Sequence, residues 1–135
     1  MLPYLIESAP SLSAADINRF EQALDVGFPQ AFRDFYLATN GGYIDDALNG
    51  NDLLLAGFVP IKHGRVPMEQ AYRELVEDVP ALAGKMPFAF DEGGNYFLLS
   101  LDGPDHGKIG LWIMDTEHYH EVAHDFSAFL DRLAG

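Results

Sequence analysis

Two apolar runs, residues 88–90 and 96–101, stand on either side of Asp91-Glu92-Gly93-Gly94-Asn95. That connection is rich in residues that tolerate positive φ and reverse the chain, so the two runs read as the strands of a β-hairpin. Further strand-sized runs lie at 53–56 and 58–61, read as two strands or as one strand broken at Gly57. Another at 108–114 carries the only tryptophan, Trp112, and a short one lies at 118–122. Between them fall helical patterns. The order is helix, helix, strands, helix, strands, helix, without the strict alternation of a βαβ protein, and it argues for an α+β fold.

The helices announce themselves by caps and stripes. Ser13 with Asp16 three residues on forms a variant capping box, and Ile17, Phe20 and Leu24 follow as one apolar stripe. Gly27 reads as its end. Pro29 suits the first position of a second helix with Phe32, Phe35 and Tyr36 along one side, stopped by Asn40-Gly41-Gly42. A ring stripe at helical spacing is core rather than a ligand site. Residues 43–52 read as a polar, acid-bearing loop. Pro67 opens a third helix, with Met68, Ala71, Tyr72, Leu75 and Val76 on one side, and Pro80 closes it. Asp125 caps a last helix whose inward residues are Phe126, Phe129, Leu130 and Leu133. With no internal repeat, linker or low-complexity segment, residues 1–135 are expected to form a single domain, and Phe20, Phe35, Phe97, Trp112 and Phe129 to be buried in it.

Charge narrows the function. Twenty-one acidic against eight basic residues leave a net charge of −13. A nucleic-acid binder needs a basic footprint that replaces counterions on phosphate, so no nucleic acid and no anionic membrane surface is expected as a partner. The acids are spread through patterned, aromatic-rich sequence and therefore coat a folded surface. They serve solubility, or they match a partner with a basic face. Cysteine is absent, which removes disulfides and thiolate chemistry and fits a reducing compartment. Residues 1–7 reach Glu7 without a basic segment or a long apolar run. That does not read as a signal peptide, and the expected location is cytoplasmic.

The search for chemistry is thin. There is no nucleophile elbow, no phosphate loop followed by lysine and no H-E-x-x-H. His118 and His120 share one face of a strand, with His124 or Glu121 available as a third ligand. But the pattern is short and common, and no metal site is expected. The pairs Asp45-Asp46 and Asp91-Glu92 are adjacent acids in turns. They do not face each other across a substrate, as acid–base catalysis requires. Ser8, Ser11 and Ser100 have no histidine at a motif spacing. No catalytic residue and no cofactor is expected.

Three stretches in register resemble the Smi1/Knr4-like (SUKH) superfamily. The first is the helix around Ile17, Phe20, Glu21 and Leu24, followed by Gly27-Phe28-Pro29, Phe32, Phe35-Tyr36 and Asn40-Gly41-Gly42. The second is Pro87-Phe88-Ala89-Phe90-Asp91-Glu92-Gly93-Gly94-Asn95-Tyr96-Phe97. The third is Val122-Ala123-His124-Asp125-Phe126, where the family more often has serine at the place of Asp125. Phe28 departs from the usual leucine, and residues 43–65 match nothing in the pattern. The resemblance implies a mixed or antiparallel sheet packed with about four helices. For bacterial members it implies an immunity protein that neutralises a toxin domain, often a nuclease, by protein–protein binding; fungal relatives are regulatory hubs. An acidic inhibitor would complement a nuclease's basic cleft, with Asp45, Asp46, Asp52, Asp91 and Glu92 as the expected partner-binding acids. The alternative is a regulatory or scaffold interaction module of the same fold with no toxin partner.

Overall fold

The computed structural model describes residues 5–44 and 53–134. In chain order the elements are β1 (Leu5–Ile6), α1 (Ala14–Leu24), α2 (Gln30–Ala38), β2 (Gly42–Ile44), β3 (Leu55–Phe58), α3 (Met68–Asp78), a 3-10 turn at Pro80–Leu82, β4 (Lys85–Asp91), β5 (Tyr96–Ser100), a second 3-10 turn at Gly103–Asp105, β6 (Ile109–Ile113), β7 (His118–Ala123) and α4 (Phe126–Ala134). The strands form an antiparallel sheet in the order β1-β2-β3-β4-β5-β6-β7, so each strand pairs with its neighbours in sequence. The expected α+β class stands, and of the two sheet types the fully antiparallel one is realised.

Side-chain alternation sorts the sheet into two faces. Along β5, Phe97 and Leu99 join one core while Leu98 joins another. The first core is the larger. Ile17 and Phe20 of α1, Phe32, Phe35 and Tyr36 of α2, and Phe126 and Phe129 of α4 close over Phe58, Phe88 and Phe97. The rings meet mostly edge-on or tilted: Phe32 contacts Phe126 at 5.2 Å, Phe88 contacts Phe129 at 5.3 Å, and Phe97 contacts Phe129 at 5.4 Å. Such arrangements add to what burial alone contributes. The second core is small, with Leu75 of α3, Leu82, Leu98 and Trp112. All five rings expected in the interior are buried, but Trp112 is on the opposite face from the other four.

Buried polar groups tie the layers together. The Tyr36 hydroxyl donates its proton between the carbonyls of Val59 and Phe88, at 2.8 and 3.0 Å, and burial holds its pKa well above the ordinary value. Asn40 is 1% exposed. Its Nδ2 donates to the carbonyls of Pro10 (3.0 Å) and Ile61 (2.9 Å), and its Oδ1 accepts from Ile61 N at 2.8 Å. Gly41 follows at φ 74°, where a Cβ would stand 2.8 Å from the Phe58 carbonyl oxygen. The chain thus requires glycine there for both conformation and space.

Charged side chains fix the α1 end and the loop ahead of α3. Ser13 and Asp16 make the reciprocal capping box. Asp16 also accepts from Arg19 and, at 3.0 Å, from Lys62, whose own backbone N–H donates to Glu69. Glu21 accepts from Phe28 N at 2.7 Å and pairs with Arg33, so the acid of α1 holds the connection to α2. Asp125 caps α4 through Ala128 N at 2.7 Å.

Four local expectations change. Asp25, at φ 54°, ends α1 in the left-handed conformation, two residues before Gly27; a short polar side chain tolerates that region. Pro29 precedes the first helical residue rather than occupying it. Tyr43 and Ile44, expected at the start of the 43–52 loop, join Gly42 in a strand held between β1 and β3. The expected runs 53–56 and 58–61 become one shorter strand, Leu55–Phe58, with Gly57 inside it beside a register shift, and the Phe90 ring fills the space a side chain at Gly57 would need.

Phe35→Ala and Phe129→Ala are each expected to lower stability by about 3–5 kcal/mol, read from urea midpoints; near-wild-type melting would contradict the packing described. A second expectation concerns acid. The Ser13 backbone N–H first, then Lys62 and Arg19, hold the Asp16 carboxyl well below its ordinary 3.8. A depressed pKa contributes stability that is present above 3.8 and lost as pH falls below it. Asp16→Asn should therefore be less stable than wild type at neutral pH, with the gap closing in urea melts at about pH 3 and below.

Candidate functional site

The side chains with reactive potential are dispersed. His118 and His120 lie on the exposed edge strand β7 with ring centroids 6.1 Å apart, and His124 pairs with Asp125 at 3.5 Å. Among the described residues no three His, Cys, Asp or Glu side chains are arranged to hold a metal ion. Ser8 is engaged with Thr39 and the Gly41 carbonyl, and Ser11 is exposed. Ser100 is buried and accepts from Lys85 Nζ at 2.9 Å, with the Lys85 ammonium 4.9 Å from the centre of the Tyr119 ring.

The five acids expected to meet a partner separate. Asp45, Asp46 and Asp52 lie outside the described residues. Asp91 is turned into its own hairpin, where Oδ1 accepts from Gly93 N (2.9 Å) and Asn95 N (2.8 Å) and Oδ2 from Asn95 Nδ2 (3.1 Å). Asn95 Oδ1 in turn accepts from Met114 N at 3.0 Å, which fastens the turn to the end of β6. Glu92 is exposed, and its backbone N–H donates to Leu54 O. Of these two neighbours, Asp91 builds the turn and Glu92 is presented by it.

The arrangement that stands out arises from register. Cross-strand pairing aligns Ile6, Tyr43, Gly57, Phe90, Tyr96, Trp112 and Tyr119 in one row across the sheet. Directly paired residues share a face, so these side chains all stand on the α3 side. Helix α3 and the turn after it cover Trp112 and pack against part of Tyr96. Beyond Tyr96 the row is open, and a groove of about 590 Å³ runs over Tyr43, Phe90 and Tyr96. Its volume is in the range of ligand and anchor pockets. Glu7, Ala9 and Pro10 line it from the β1 side, Pro60, Gly64, Arg65 and Val66 from the loop ahead of α3, and Gly94 from the hairpin turn. Phe90 lies across Gly57, where a Cβ would be 2.7 Å from its Cζ, and meets Tyr43 edge-on at 6.0 Å. Tyr43 is 49% exposed. Burial, with a smaller contribution from the Glu74 carboxylate, raises the pKa of the Tyr96 phenol.

Several basic side chains of the molecule are paired. Arg19 and Lys62 pair with Asp16, Arg33 with Glu21, and Lys108 with Asp105 and Glu121. Arg65, exposed on the groove wall, makes no ion pair among the described residues. Sequence reasoning missed Tyr43, Arg65, Phe90 and Tyr96 as a group. They come from β2, the loop ahead of α3, β4 and β5, and only the strand register unites them.

Among the described residues, a seven-stranded antiparallel meander is sealed by three helices on one face and part-covered by a single helix on the other. That defines a small α+β protein with an open aromatic sheet face. The chain belongs to the SMI1 / KNR4 family (SUKH-1), whose family model matches residues 11–132. No curated protein matches it. Among the described residues no helix is long and apolar enough to cross a membrane.

The different roles of the hairpin acids are separable. Asp91→Ala removes an acceptor for three donors and is expected to cost about 1–3 kcal/mol, with faster amide exchange at Gly93 and Asn95. Glu92→Gln should leave stability within about 0.5 kcal/mol of wild type. Equal effects on thermal melts would contradict this division.

Proposed function

We propose that this chain is an immunity protein, a non-catalytic inhibitor that binds a cognate toxin domain with a basic face and blocks it by occupying its surface. The observation that carries the reading is an open aromatic groove in a family member whose surface is strongly acidic, with a net charge of −13. Large exposed apolar patches rimmed by polar residues mark interaction sites. Membership of the family supports a binding role. A basic partner suits a toxin that itself acts on nucleic acid, since such an enzyme carries a positive cleft for phosphate. The inhibitor would act in the cytoplasm, where it meets the toxin before the toxin reaches its substrate.

Electrostatic complementarity would set the rate of encounter, which reaches about 10⁸–10⁹ M⁻¹s⁻¹ at low salt in steered pairs. Nucleases and their acidic inhibitors associate in this way, and the same physics applies to any two surfaces of opposite charge. Acids at the rim change encounter, and groups buried in the contact change the lifetime of the complex.

The test is co-expression with any toxin-domain protein encoded beside this chain, followed by stopped-flow binding to a catalytically inactivated form. Wild type should restore growth, and its association rate should fall steeply as salt rises. Asp45→Asn, Asp46→Asn and Glu92→Gln together should lower the association rate and flatten its salt dependence without changing the melting temperature. Growth rescue with an association rate indifferent to salt would mean that shape alone carries recognition. Absence of any toxin partner would favour a regulatory or scaffold module of the same fold.

A further inference from the structure

We infer that the partner is anchored in the groove over Tyr43, Phe90 and Tyr96 by a loop of the toxin domain that inserts one apolar side chain and carries lysine or arginine beside it. This deepens the immunity reading and rests on it for the identity of the partner.

The groove has the composition of an interface centre. Its floor is aromatic, its walls carry Pro60, Val66 and Arg65, and among the described residues no lysine lines it. Interface cores are enriched in aromatic residues and arginine and depleted in lysine, and the residues that dominate binding energy come from the same set. Two of the exposed large apolar side chains belong to this groove. Tyr43 at 49% and Val66 at 38% line the groove, and Leu54 at 59% receives the backbone hydrogen bond from Glu92. Because Gly57 has no side chain, Phe90 can lie across the strand and present its ring toward the groove.

Charge selects the occupant. Glu7 is the acid on the groove wall, opposite the loop that carries Arg65, so a cation beside the inserted side chain on the β1 side meets the Glu7 carboxylate and ring faces below, within a surface whose net charge is −13. Arg65, without an ion pair among the described residues, has guanidinium donors that would hold a backbone carbonyl of the inserted loop. A second copy of this chain is disfavoured as the occupant, because each copy brings a net charge of −13.

Two measurements test this separately from the immunity reading. In the first, the isotopically labelled full chain is titrated with Lys-Trp-Lys amide and with Glu-Trp-Glu amide. Amide shifts at Tyr43, Phe90, Gly94 and Tyr96 should saturate at least about tenfold lower in concentration for the basic peptide, since each tenfold corresponds to about 1.4 kcal/mol. No shift at those residues, or equal affinity for the two peptides, would overturn the assignment. In the second, Tyr43→Ala, whose melting should match wild type because the ring is half exposed, is measured against the same inactivated toxin-domain protein. The expected result is about a 30-fold or greater rise in Kd, mainly through faster dissociation, as for a residue at an interface centre. If wild type binds the toxin and Tyr43→Ala binds equally well, the groove is not the anchor although the immunity reading stands. If wild type binds no toxin, the immunity reading falls, and with it the toxin loop as occupant.

Discussion

The buried carboxamide of Asn40 is the interaction on which the rest of the molecule turns. It joins the arm that enters α1, through Pro10, to the strand end that leads into α3, through Ile61. Its two bonds to Ile61 are buried and the one to Pro10 is part-buried, and an unmatched buried partner costs about 1–3 kcal/mol. The same bonds shape the open face. Ala9 and Pro10 on one side, and Pro60 on the other, are walls of the groove and immediate neighbours of the groups Asn40 holds. Gly41 lets the chain pass directly from this latch into β2 with no room for a side chain. One polar residue thus couples the stability of the fold to the geometry of its open surface.

The two faces of the sheet are built for different ends. Three helices and a continuous set of phenylalanine rings seal the first, and the Tyr36 hydroxyl ties α2 to β4 and to the end of β3. On the second, α3 covers Trp112 and Leu98 but stops short of Tyr43 and Phe90. A fully covered sheet would be more stable and would offer no surface. Leaving part of the row open retains a rigid aromatic platform whose position is set by strand pairing rather than by loops. The chain's net charge of −13 opposes self-association through such a platform.

Much of the fold was legible in the sequence because local rules decided it. The Ser13–Asp16 capping box, the Phe32–Phe35–Tyr36 stripe, the Asp91–Asn95 hairpin and the Asp125 cap each depend on residues within a few positions of one another. Strands β1 and β2 were not legible. Two- and three-residue strands carry too little periodicity to be seen, and they exist because β3 offers an edge for β2 to pair with. The candidate site was hidden for the same reason. Tyr43, Phe90 and Tyr96 form a row only when three separate pairings are in register, and that register includes an irregularity in β3–β4 and another in β4–β5. Asp91 and Glu92 look alike as neighbouring acids, yet strand geometry turns one inward and leaves the other outside.

The serial strand order carries a consequence for how the chain assembles. From β4 to β7 no pairing spans more than the loop holding the second 3-10 turn, so this half of the sheet closes at a low cost in chain entropy. Pairing β1 with β2 instead closes a loop that contains both α1 and α2, and pairing β3 with β4 closes one that contains α3. Local contacts are reached first and distant ones later. The pairings of lowest sequence separation therefore lie in the β4–β7 meander, and the open aromatic face depends on the longer closures that bring in the N-terminal arm held by Asn40.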